Sequence, residues 1–189
     1  MIYLIRHGQT DWNIEGKNQG HTDIALNQKG IEQAIQLSKK LSNIHFDIIF
    51  SSPLKRAKNT AEIIHHNKII YDTRIIERYN GELEGRINTK FLVDFSNPDD
   101  TRYAIEPLLL FRHRVTDFWD DILKNYSSKN ILVVTHSGVI IYSQAYFKGE
   151  PQSSNYQSYK IRNCDVLQFE NNWKNENDRK KNYVNFQNV

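Results

Sequence analysis

Met1-Ile2-Tyr3-Leu4-Ile5 is a near-continuous apolar run that meets Arg6-His7-Gly8 with no spacer. A run this short, apolar at nearly every position, suits a strand covered on both faces. It has no basic leader and is too short for a secretory signal, so it reads as the first strand of the fold. Polar, chemistry-bearing residues therefore stand directly at a strand's carboxyl end.

The rest of the chain repeats this theme. Phe46-Asp47-Ile48-Ile49-Phe50 and Ile131-Leu132-Val133-Val134 read as two further buried strands, and Cys164 to Phe169 alternates as an edge strand does. Between them lie helical patterns. Asn27 caps a helix with apolar positions Ile31, Ala34, Ile35, Ser38 and Leu41, and Ser52-Pro53 gives a helix start before Leu54, Ala57, Ala61 and Ile64. Pro107 opens a helix carrying Leu110, Val115, Phe118, Trp119 and Ile122, and Val139 to Phe147 forms another. Alternation of this kind predicts an α/β fold, a three-layer sandwich with a mostly parallel central sheet flanked by helices.

The chain has 189 residues, enough for one domain with a real core. Residues 1–170 read as a single domain. The stretch 171–189, rich in Asn and Lys, shows no helical or strand period and reads as a mobile tail, with a substrate-covering flap as the alternative. Hydrophobic residues make up 39% and charged residues 25%, which excludes a disordered chain. No run approaches the ~18 apolar residues of a membrane span. A single cysteine, Cys164, excludes an internal disulfide and a thiolate metal cluster, and suits a reducing cytoplasm. The net charge of +3 permits an anionic substrate without the clustered basic face that nucleic acid requires.

Three strand-to-helix junctions carry the chemistry: Arg6-His7-Gly8, Ser51-Ser52 leading to Arg56, and Thr135-His136-Ser137-Gly138. Ligands of open α/β sheets bind outside the carboxyl ends of strands, so these junctions can share one site. Arginine's planar fork matches phosphate oxygens, glycine lets backbone approach a ligand, and helix N-termini add donors. Each piece has a plain alternative. A histidine after a strand is commonly structural, Arg56 fits a solvated helix face, and Glu77 next to Arg78 fits a surface ion pair. Zinc ligation by His7 and His136 lacks a third ligand at suitable spacing.

The joint pattern resembles the histidine phosphatase superfamily, in its phosphoglycerate mutase-like branch. Arg6-His7-Gly8-Gln9-Thr10-Asp11-Trp12-Asn13 is similar to the signature RHGxTxxN, and Gln19 to Leu26 with Gly30 to GxxDxxLxxxG. Ser51 to Ala57 with Thr60-Ala61 resembles SxLxRAxxTA, Glu77 with Gly81, Glu84 and Gly85 resembles LxExxxGxxEG, and Val134 to Gly138 the second histidine motif. Glu106 echoes a further family segment too faintly for a role to be transferred.

The resemblance implies a phosphatase that hydrolyses a small phosphorylated metabolite through a phosphohistidine on His7. Arg6, Arg56 and His136 would hold the phosphoryl oxygens, with Asn13, Gly8 and Ser137 adding contacts. Glu77 would protonate the leaving oxygen and then activate water. No metal and no cofactor is expected, because the arginines carry the charge. The expected partner is the metabolite alone, without nucleic acid or membrane, and the chain would act as a monomer or homodimer in the cytoplasm. A phosphoglycerate mutase shares this pocket, but the stretch from Glu77 to His136 has room for one loop and one helix only. A non-catalytic phospho-ligand binder would be expected to lack His7, Glu77 or Arg56, and a nucleic-acid role would rest on Trp173 and Tyr183 in the tail. Substrate choice is expected in the segment from Arg86 to Glu106. Trp12 reads as core edge, His45, His65, His66 and His113 as solvated, and His21 is open to a substrate contact.

Overall fold

A computed structural model describes residues 1–66, 68–87, 102–151, 155–171 and 183–184. Its elements, in chain order, are β1 (Ile2–Arg6), α1 (Asp11–Ile14), α2 (Gln28–Leu41), β2 (Ile48–Ser51), α3 (Lys55–Ile64) and β3 (Ile69–Tyr71). There follow α4 (Leu108–Asn125), β4 (Ile131–Thr135), α5 (Ser137–Lys148), β5 (Val166–Phe169) and β6 (Tyr183–Val184). The sheet order is β3-β2-β4-β1-β5-β6, with the first four strands in that order parallel, β5 antiparallel to β1, and β6 antiparallel to β5.

Alternation along β1 builds the two cores of an α/β/α sandwich. Ile2 and Leu4 point to one face, packing with Phe111, Phe118 and Trp119 of α4 and Val139 and Ile140 of α5. Tyr3 and Ile5 point to the other, against Leu37 and Leu41 of α2 and Ala57, Ala61 and Ile64 of α3. The indole of Trp119 is fully buried and donates its Nε1–H to Ser143 Oγ at 2.8 Å, so the largest core side chain leaves no polar atom unpaired. No described helix is long and apolar enough to cross a membrane.

Several local expectations shift. β3 and β6 were not foreseen, and β5 lies between β1 and β6 rather than at the edge. The stretch 171–189 lies mostly outside the described residues; within it Tyr183–Val184 pairs with β5, and Asn171 donates to Tyr126 O and Lys129 O. The α2 face is rotated: Gly30, Ala34, Leu37 and Leu41 are buried while Ile35 is 43% exposed. On α4, Leu108 and Phe111 are buried and Leu110 is exposed. Helix α3 begins at Lys55 with Leu54 as its cap, not at Ser52-Pro53. Ser52 is drawn elsewhere, to His136.

Candidate active site

Register places the chemistry. In the β1–β4 pair, Arg6 stands opposite Thr135, and His7 N donates to Thr135 O at 2.9 Å. Ser52 N donates to Val134 O at 3.0 Å. The residues after β1, β2 and β4, namely His7, Ser52 and His136, therefore meet at one end of the sheet. The His7 and His136 rings lie 5.2 Å apart.

The two imidazoles are in defined states. His7 Nδ1 lies 2.7 Å from Gly8 O, which can only accept, so Nδ1 carries the proton and Nε2 keeps its lone pair. Arg56 Nε donates to His136 Nδ1 at 3.2 Å, so the proton of His136 sits on Nε2, 2.7 Å from Ser52 Oγ. Burial, then the charges of Arg56 and Arg6, hold the His7 pKa well below the ordinary histidine value. Burial and Arg56 lower His136 in the same way, so both rings are neutral at pH 7.

Arg56 is completely buried. Besides His136, it donates from Nη1 to Thr22 O at 2.9 Å and from Nη2 to Gly20 O at 2.7 Å. Those bonds use three of a guanidinium's five donors. Burial pushes its pKa down to about 10, which leaves it charged at neutral pH. The loop it grips is fixed from the other side by Glu84, whose carboxylate accepts from His21 N, Thr22 N and Asn80 N at 2.8, 2.8 and 3.1 Å. A Cβ on Gly20 would stand 2.0 Å from that carboxylate, and its φ of +50° favours glycine as well. Arg6 donates from Nη1 to Ile161 O at 2.7 Å, and its buried Nε has no partner among the described residues.

Glu77 faces this cage from a stretch without strand structure. Its carboxylate accepts from Gly138 N with both oxygens at 3.1 Å and from Arg78 N at 3.0 Å. A Cβ at Gly138 would come within 2.4 Å of Glu77 Oε1, so glycine is what lets the carboxylate rest on the start of α5. Arg114 supports the backbone beneath: it donates to Arg74 O, Ile76 O and Glu77 O, and forms a two-pronged pair with Glu106 at 2.7 and 2.9 Å.

These residues border a cleft of about 200 Å³ whose lining includes Arg6, His7, Asn13, Arg56, Glu77 and Ser137. Gly8 is not on that lining. It is pressed against α2, where a Cβ would meet Gly30 O at 2.6 Å, and its N–H donates to Thr60 Oγ1. His136 stands behind the cleft wall, fully buried. Asn13 Oδ1 closes a capping box with Thr10 and accepts from Asn163 Nδ2. Trp12 is half-buried and off the lining, and His21 donates from Nε2 to Glu77 O. His45, His66 and His113 are exposed and His65 half-buried. Sequence reasoning missed Arg114 and Asn163, which act on backbone carbonyls and leave no spacing signal, and it placed Glu84 in a motif without seeing that it holds the Gly20–Thr22 loop. Most of the segment from Arg86 to Glu106 lies outside the described residues. Among the described residues, no three His, Cys, Asp or Glu side chains come together as a metal site needs.

A neutral imidazole with a free nitrogen, buried arginines and a carboxylate thus meet at one cleft. The chain belongs to the histidine phosphatase superfamily (branch 1), whose family model matches residues 2–181. It is 37% identical over 142 residues to a protein of Bacillus subtilis named uncharacterized phosphatase PhoE, covering 74% of this chain and 72% of that one. It is 32% identical to phosphoserine phosphatase 1 of Hydrogenobacter thermophilus, covering 72% and 70%. Among solved structures, a phosphoserine phosphatase from Entamoeba histolytica in complex with phosphoserine superposes with a TM-score of 0.76 at 29% identity, covering 89% of each chain. By fold and family the chain is a phosphoric monoester hydrolase of the histidine phosphatase class.

Proposed function

We propose that this chain hydrolyses a small phosphorylated metabolite through a phosphohistidine on His7, without a metal ion. The observation that carries the reading is the His7 tautomer. With Nδ1–H held by Gly8 O, the Nε2 lone pair is the free nucleophile, and the lowered pKa keeps it unprotonated.

In the first step His7 Nε2 forms a bond to phosphorus as the bond to the leaving oxygen breaks, and Glu77, in its acid form, gives that oxygen a proton. In the second, Glu77 takes a proton from water, which attacks phosphorus and frees His7. Arg6 and the two unused donors of Arg56 neutralise the equatorial oxygens, with Asn13 Nδ2 and the N-terminus of α5 at Ser137 adding contacts. His136, behind the cleft wall with its Nε2–H on Ser52 Oγ, acts on the phosphate through Arg56, whose Nε–H it accepts. Placement and charge supply most of the catalysis of phosphoryl transfer, which fits a site built from fixed donors. The names of its relatives, an uncharacterized phosphatase and a phosphoserine phosphatase among them, support this reading.

The test is hydrolysis of an aryl phosphate in the presence of a chelator. Release of phosphate by the wild-type chain, and its loss in His7→Ala, is expected; activity that survives the substitution or disappears with the chelator refutes the reading. Incubation with 3-phosphoglycerate and its bisphosphate cofactor separates the alternative outcome, since rapid interconversion without phosphate release would mark a mutase.

A further inference from the structure

The cleft carries more positive charge than a phosphoryl group needs. Its lining includes Arg6, Lys17, Arg56, Arg78 and Lys160 against one carboxylate, Glu77. A phosphate monoester brings about two negative charges at neutral pH, which Arg6 and Arg56 meet. Lys17 already has Glu15 at 2.5 Å. Arg78 is buried and donates from Nε to Glu106 O. Lys160 is different: it is exposed at the mouth, and among the described residues no carboxylate forms an ion pair with it. Burial of part of its stem and the charge of Arg6 both push its ammonium pKa down, as an unneutralised neighbouring charge does.

The segment that bears Lys160 is tied to the catalytic strand. Arg6 Nη1 donates to Ile161 O, Asn163 Nδ2 donates to His7 O at 2.9 Å, and Cys164 N donates to Arg6 O at 2.9 Å. Behind it, Gln144 donates to Tyr159 O. The backbone at Lys160 is therefore held at a fixed place relative to His7, and Gln157 is on the same lining.

We infer that Lys160, aided by Gln157, binds a second anionic group of the substrate, a carboxylate or a second phosphate, so that the enzyme selects doubly anionic phosphomonoesters over those with a neutral remainder. This rests on the phosphatase reading above. The cleft volume of about 200 Å³ suits a compact molecule in which the two anions are a few bonds apart.

Matched substrate pairs test the inference in wild type, Lys160→Met and Lys160→Arg. Phosphoserine against phosphoethanolamine, and 3-phosphoglycerate against glycerol 3-phosphate, differ by a carboxylate; a sugar bisphosphate against its monophosphate differs by a phosphate. The readout is the ratio of kcat/KM within each pair, which cancels any loss of folded enzyme. The wild-type ratio is expected to favour the doubly anionic member by about tenfold or more in at least one pair, as a charged hydrogen bond supplies. It should fall towards one in Lys160→Met and be retained in Lys160→Arg. The pair that responds identifies the second anion. Hydrolysis of an aryl phosphate without any such preference, or a preference unchanged in Lys160→Met, overturns this inference alone. Failure to hydrolyse every substrate overturns the phosphatase reading and this inference with it.

Discussion

On one side of the cleft His7 and His136 continue β1 and β4, while on the other Glu77 stands in a stretch with only two short 3-10 turns, Thr73–Ile75 and Gly81–Leu83. The first wall is held by a backbone ladder, in which Arg6 pairs with Thr135 and His7 N with Thr135 O. Its placement depends on no single side chain. The second wall hangs on side chains that reach backbone carbonyls: Arg114 on Arg74, Ile76 and Glu77, Thr135 Oγ1 on Ile75, and His21 on Glu77. A ladder spreads its energy over many bonds of about 1 kcal/mol each, whereas a clamp fails when one residue goes. The placement of His7 should therefore tolerate point changes around it better than that of Glu77.

The largest effect is expected at Glu77. Glu77→Gln should lower kcat on an alkyl phosphate by about 10²- to 10⁴-fold, the usual share of a general acid. The loss should shrink for an aryl phosphate, whose leaving oxygen needs less protonation. Equal losses on both would deny Glu77 the acid's role.

Next comes the pH dependence of the nucleophile wall. His7 and His136 have pKa values well below 6.5 in the fold, so the unfolded chain takes up protons first as pH falls. Stability from these rings is complete above pH 6.5 and is lost below it, by about 1.4 kcal/mol per pH unit for each histidine. Denaturant titrations of wild type and His7→Gln at pH 7 and pH 5.5 check this; a stability loss that is the same in both contradicts the buried neutral state of His7.

Removing the clamp should cost less. Arg114→Met is expected to lower kcat about 10- to 100-fold through misplacement of Glu77, with KM changing little. Made on top of Glu77→Gln, the same substitution should cost much less, because the two act through one group. Additive losses would mean that Arg114 serves general stability instead. The smallest effect belongs to Ser52→Ala, which removes one acceptor from His136 Nε2 and should reduce kcat/KM by about fivefold.

The same contrast explains what the sequence could reveal. Strand ends followed by Arg6-His7 or His136 are visible because a continuous apolar run precedes them. Side chains that clamp backbone, Arg114 on carbonyls and Glu84 on N–H groups, have partners fixed only by the tertiary fold. Glu106 shows this well: with no local signal for a role, it proves to pair with Arg114 under the acid. β3 was missed because a strand of three residues, with Ile70 and Tyr71 exposed, has no period to detect. The start of α3 was misplaced because Ser52, a good cap by type, accepts at 3.3 Å from Leu54 N and is also engaged by His136. Ile35 and Leu110 each stand one residue from a buried position, Ala34 and Phe111, and a step of about 100° round the helix turns them to solvent.

The central claim is that His7 carries the phosphoryl group. Rapid quenching of the wild-type enzyme with a radiolabelled phosphomonoester, followed by digestion and peptide mapping, tests it directly. The expected result is a phosphoenzyme stable in base and labile in acid, mapped to the peptide containing His7, which accumulates in Glu77→Gln with an aryl phosphate and is absent in His7→Ala. Turnover with no trapped phosphoenzyme in either background, or a label on any other residue, would contradict the account.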